Sequence, residues 1–224
     1  MRTIIALARA SHFGPTVLVT SISFFFAQLF WWQGPAMVIA LGVFCGQLVV
    51  GWSNDLIDYR DDLSHQRLNK PLVAGSITPQ LLQKCLRVAL LAAVVINLVG
   101  PLGPVGGGLS LFAIAWAIGY NFYFKFTILS WLPYAVAFAA LPSCMALSKE
   151  VNPPMWMWIG GALVGTAAHF LNVIKDMKED HISGIKGLPQ RCGTKLSAVI
   201  AIVLIAAAVL LLMLSDLSLP PVAA

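Results

Sequence analysis

The sequence predicts an all-α, multispan transmembrane helical bundle, and three observations carry that prediction. Of 224 residues, 59% are hydrophobic and 10% charged, whereas a soluble domain has about 25% charged residues. The mean hydropathy is +0.85. The apolar runs are long enough to cross a bilayer as helices, and they lack the alternation of barrel strands. One integral membrane domain over residues 1–224 is the predicted organisation.

Seven spans can be drawn, at about residues 16–32, 35–53, 81–100, 105–122, 128–147, 154–174 and 196–214. Gln33-Gly34-Pro35 and the segment Gly100 to Pro104 read as tight hairpins, and Asn152-Pro153-Pro154 closes the fifth connection. Gly161 and Gly165 are spaced for close helix contact. Pro133 and Pro142 bracket span five and would tilt or kink it. The first apolar patch, Ile4 to Ala8, is short and broken by Arg9 and His12, so no cleaved signal peptide is expected.

The basic residues segregate. Arg2, Arg9, Arg60, Arg67, Lys70, Lys84, Arg87, Lys125, Lys175, Lys178, Lys186, Arg191 and Lys195 fall in one set of loops, and Lys149 alone in the other. The positive-inside rule then puts the N-terminus and both acidic clusters on the cytoplasmic side. A basic excess spread between spans is a topology signal rather than a nucleic-acid footprint. Cys45, Cys85, Cys144 and Cys192 are scattered without a CxxC pair, so neither a disulfide framework nor a zinc site is expected.

So apolar a chain has little use for carboxylates, yet seven of its nine acids fall in two knots. Asp55, Asp58, Asp61 and Asp62 form one; Asp176, Glu179 and Asp180 form the other. On a helix, Asp55, Asp58 and Asp62 share a face with Asn54 at its shoulder, while Asp61 points elsewhere. His169, Asn172, Asp176 and Asp180 share another face, with Glu179 off it. Facing acidic stripes repel unless cations lie between them. Oxygen-only ligands suit Mg2+, which takes one or two carboxylates and completes its shell with water and substrate phosphate. The residues therefore point to a Mg2+-diphosphate site between two helix ends. Asn54 and Asn172 either supply an amide to it or cap a helix. Arg67 and Lys70 either clamp phosphate or set topology.

Asn54-Asp55-Leu56-Ile57-Asp58-Tyr59-Arg60-Asp61-Asp62 resembles the NDxxDxxxD motif of the UbiA-type intramembrane prenyltransferases. Asp176-Met177-Lys178-Glu179-Asp180 is similar to their DxxxD motif, and Gly184 to Pro189 to the glycine and Leu-Pro that follow it. Arg67 to Leu72 resembles the basic, proline-containing segment after the first motif. The resemblance runs from about residue 9 to about residue 194. It implies metal ligands at Asp55, Asp58, Asp62, Asp176 and Asp180, and diphosphate contacts from Asn54, Arg67, Lys70, Asn172 and Lys125. The family carries a Tyr and a Lys near Tyr120 and Lys125, which implies a catalytic role for both beside Asp176. Lys125 would stabilise the charge that grows on the leaving diphosphate, or else snorkel to the interface. His169 would pack in the bundle or face the acceptor.

The implied activity is Mg2+-assisted transfer of a prenyl group from a polyprenyl diphosphate to a lipophilic acceptor, with an aromatic quinone precursor as the implied acceptor. The bilayer is the remaining partner. An ion-handling transporter is the alternative from another class, but it would carry its acids mid-span rather than at helix ends. Family members have about nine helices, so seven spans imply the loss of the last two. An inactive fragment is therefore a third reading.

Overall fold

The computed structural model describes residues 2–216. Among them eight α-helices follow one another: α1 Arg2–Ala10, α2 Phe13–Ala27, α3 Gln33–Ser64, α4 Pro79–Val99, α5 Gly103–Phe122, α6 Leu132–Leu147, α7 Met155–Ile182 and α8 Leu188–Leu214. A 3-10 turn, Phe124–Phe126, lies between α5 and α6. The chain divides into two compact units, the first up to Ile114 and the second from Ala115, with the division inside α5.

Each of the seven predicted spans finds a helix. Helices α3, α4, α5, α7 and α8 are each long and apolar enough to cross a membrane. The other two differ from the ideal span. Helices α1 and α2 qualify only as a pair bent by 74°. The bend lies at His12, which stands in the left-handed region with φ 55°. Helix α6 has 16 residues. Its start is delayed because Thr127 Oγ1 accepts the Leu129 N–H in a turn, and Pro133 then occupies the first helical turn.

In the first unit α3 is the central helix. Its most apolar stretch is 61% buried, against 22% for α4. Glycine permits the closest approach to it. A Cβ on Gly51 would stand 2.5 Å from the carbonyl oxygen of Ser11, so the α1–α2 bend rests on the α3 backbone. The Trp52 indole donates to the Leu7 carbonyl at 2.9 Å and holds α1 there.

In the second unit, Gly161 and Gly165 of α7 abut the backbone of Phe138 and Tyr134 in α6, as their spacing suggested. Ala167, Phe170 and Ala201 form a small core with Trp131, Leu188 and Leu204 around it. Helix α8 is interrupted at Gly193, whose φ of 75° suits glycine. Only 17% of the apolar stretch of α8 is buried.

Candidate active site

The first acidic motif occupies the last turns of α3. Asp55 is 2% exposed. Its Oδ1 accepts a hydrogen bond from Lys70 Nζ at 2.8 Å and lies 3.6 Å from His12 Nε2. Its Oδ2 is buried and accepts no hydrogen bond. Asn54 donates from Nδ2 to Asp58 Oδ2 at 3.0 Å, while its own Oδ1 faces His12 Nε2 at 3.2 Å. It therefore ties the acidic stripe together instead of capping a helix. Asp62, also 2% exposed, accepts from Arg67 Nη1 at 2.7 Å. Asp61 is off this face, with its side chain 41% exposed.

The chain reversal after α3 delivers the two cations. Gln66 adopts φ 52°. The Gln66 N–H donates to Leu63 O and the Arg67 N–H to Asp62 O, at 3.1 and 3.0 Å. This double bond pattern around a left-handed residue is a Schellman cap, which satisfies the terminal carbonyls of the helix. Arg67 thus starts the returning segment beside Asp62. Three residues later Lys70 reaches Asp55, and Arg9 of α1 donates to the Asn69 carbonyl at 2.9 Å to hold that loop. Burial pushes the Lys70 ammonium down, but the charge and hydrogen bond of Asp55, with Asp62 and Asp58 behind it, raise its pKa above the usual 10.5.

The second motif is built by the same device. Helix α7 is capped by Gly184, φ 69°, with Gly184 N–H donating to His181 O and Ile185 N–H to Asp180 O at 3.2 and 2.9 Å. Asp62 and Asp180 therefore occupy the same position of two equivalent helix caps. Asp180 Oδ2 accepts from Gln190 Nε2 at 2.7 Å. Asp176 is exposed and Asp180 half-buried.

Deeper along α7, Asn172 Nδ2 donates to Tyr134 Oη at 3.4 Å. His169 is fully buried; its ring lies 4.8 Å from that of Tyr134 and 5.5 Å from that of Tyr120. Its Nε2 is 3.0 Å from Ser130 Oγ, which accepts the Leu188 N–H at 2.9 Å. His169 is thus fixed in the wall between α6, α7 and the start of α8. Lys125 sits in the 3-10 turn, 3% exposed, with Nζ 5.3 Å from the Phe126 ring centroid.

The structure thus gathers Asn54, Asp55, Asp58, Asp62, Arg67 and Lys70 into one network in the first unit, and adds His12 to it. In the second unit Asn172, Tyr134, Tyr120 and His169 are neighbours. Gln190 and Ser130 were not singled out by sequence; neither spacing nor residue type marks them. Among the described residues, no three His, Cys, Asp or Glu side chains stand close enough together to hold a metal ion unaided.

The sequence profile of the UbiA prenyltransferase family matches residues 13–224. The chain belongs to that family. A comparison with curated proteins yields no significant match. Two solved structures share the UbiA-family fold of this chain. A UbiA homologue from Archaeoglobus fulgidus, bound to GPP and Mg2+, superposes with a TM-score of 0.76 at 17% identity, over 97% of this chain and 80% of the homologue. A digeranylgeranylglyceryl phosphate synthase superposes with a TM-score of 0.70 at 15% identity, over 94% of this chain and 76% of that one. The UbiA-family chain is an integral, multi-pass membrane prenyltransferase.

Proposed function

We propose that this prenyltransferase uses Mg2+ to transfer the prenyl group of a polyprenyl diphosphate to a lipophilic aromatic acceptor of the quinone-precursor class. The observation that carries the reading is the pair of equivalent capped helix ends, each presenting carboxylates four residues apart, Asp58 with Asp62 and Asp176 with Asp180. The acids lie at the ends of apolar helices, where a diphosphate headgroup can meet them, rather than mid-span as an ion path would require.

The donor set fits Mg2+. It is all oxygen, and the buried, unpartnered Oδ2 of Asp55 is a lone-pair site awaiting a cation. Asp55, Asp58, Asp62, Asp176 and Asp180 would hold Mg2+, which when bound neutralises the leaving diphosphate. Asn54 and Asn172 orient the headgroup by amide hydrogen bonds. Arg67 and Lys70, which pair with Asp62 and Asp55 in this structure, would donate to diphosphate oxygens. Lys125 and Tyr120 assist departure of the diphosphate. The apolar helix faces around them keep water from the allylic centre.

We place the N-terminus and both motifs in the cytoplasm, because the basic loops share that side. The function test uses membranes from cells expressing the chain, supplied with Mg2+ and geranyl or geranylgeranyl diphosphate. Aromatic acids and a glyceryl phosphate are offered as competing acceptors, and lipid extracts are read by mass spectrometry. A prenylated aromatic product that disappears with EDTA is expected. Prenylation of the glyceryl phosphate alone would overturn the acceptor assignment, and metal-independent transfer would overturn the site.

A further inference from the structure

The first turn of α8 carries a side chain whose placement folding alone does not explain. Gln190 is 7% exposed. Its Nε2 donates to Asp180 Oδ2 at 2.7 Å. A carboxylate is an acceptor, so the amide orientation is fixed with nitrogen toward Asp180. Its Oε1 is then left buried without a partner. A buried, unsatisfied amide oxygen is destabilising, and an apolar side chain of the same size would avoid it. The surroundings are shaped to admit the amide: a Cβ on Gly187 would lie 2.7 Å from Gln190 Oε1 and 2.8 Å from Ser130 Oγ.

The turn that bears Gln190 is anchored on two sides. Ser130 Oγ, itself paired with His169, accepts the Leu188 N–H, and Ser197 Oγ donates to the Pro189 carbonyl at 3.1 Å. The equivalent carboxylate of the first motif, Asp62, is held by the Arg67 guanidinium at 2.7 Å. Both partners fix a rotamer, but they differ electrostatically. Arginine offsets the carboxylate charge, whereas a neutral amide adds none of its own.

We propose that Gln190 is a positioning residue of the cation site: it locks the Asp180 carboxylate in one orientation without adding charge, so that Asp180 meets the metal-diphosphate preorganised. The inference rests on the reading of Asp180 as a metal ligand. Mn2+ is the probe, and its affinity is measured by electron paramagnetic resonance on the purified protein in detergent with inorganic diphosphate present. Gln190→Met and Gln190→Leu remove the donor and retain bulk. Each should weaken Mn2+ by about 10-fold or more, the range found when a ligand's hydrogen-bond partner is lost. Ser215→Ala removes a hydroxyl that donates to the Leu211 carbonyl at the other end of α8 and should leave the affinity unchanged. Wild-type affinity in Gln190→Met overturns the inference, as does equal weakening in Ser215→Ala. Wild-type affinity in Asp180→Asn instead overturns the metal-ligand reading beneath it.

Discussion

Replacing Lys70 by methionine isolates the energetics of the first motif. In the native protein the Lys70 ammonium is 2.8 Å from Asp55 Oδ1, and the two side chains are 23% and 3% exposed. The mutation leaves a buried carboxylate with His12 at 3.6 Å as its remaining ionic partner. Breaking a fully buried pair costs about 3–5 kcal/mol. With the lysine partly wetted, about 2–3 kcal/mol is expected here. For a chain of this size that corresponds to a melting temperature lower by roughly 5–10 °C. Asp55→Asn in the Lys70→Met background should recover most of the loss, giving a coupling of about 1–3 kcal/mol in the double-mutant cycle. The assay is thermal unfolding in detergent, without Mg2+, on the four proteins. The pH dependence has a defined sign. The pKa of Lys70 is raised on folding, so its stabilisation is complete below 10.5 and is lost as pH climbs through the folded value. The gap between wild type and Lys70→Met should therefore stay constant from about pH 6 to 9 and close only above about 10.5. Additive single and double mutants, or a gap that closes on acidification toward neutrality, would refute the reasoning.

Three further outcomes are expected. Asp58→Asn should lower kcat/KM by about 100-fold, ~2.7 kcal/mol of transition-state stabilisation, while Asp61→Asn, off the acidic face, should stay within about 3-fold at equal expression; equal damage from both would show that the stripe is misassigned. Gly161→Val drives a side chain into the Phe138 and Ala139 backbone and should cost about 1–3 kcal/mol or more, read as a lower melting temperature. Cysteines placed singly at His65 and Lys186 in a cysteine-free background should both label from the cytoplasmic side, and labelling from opposite faces would defeat the proposed orientation.

Sequence alone determined the class of this protein and the address of its candidate site. Hydrophobicity over bilayer-length runs admits few alternatives, because a backbone in lipid must satisfy its own hydrogen bonds. Carboxylates are rare in so apolar a chain, and Asp55, Asp58, Asp62, Asp176 and Asp180 stand out as candidates by residue type and helical spacing. The division of α1 from α2 was not legible, since it rests on a left-handed His12 and on Gly51 admitting the Ser11 backbone. Nor was it legible which donor serves which acid. That Lys70 takes Asp55, Arg67 takes Asp62 and Gln190 takes Asp180 follows from two helix caps that turn the chain back on itself. Such caps depend on one left-handed residue, Gln66 in the first case and Gly184 in the second, and glutamine carries no sequence signal for that conformation. Periodicity places residues on a face of one helix, but the partner of a buried charge comes from another segment, and only tertiary packing decides which segment arrives.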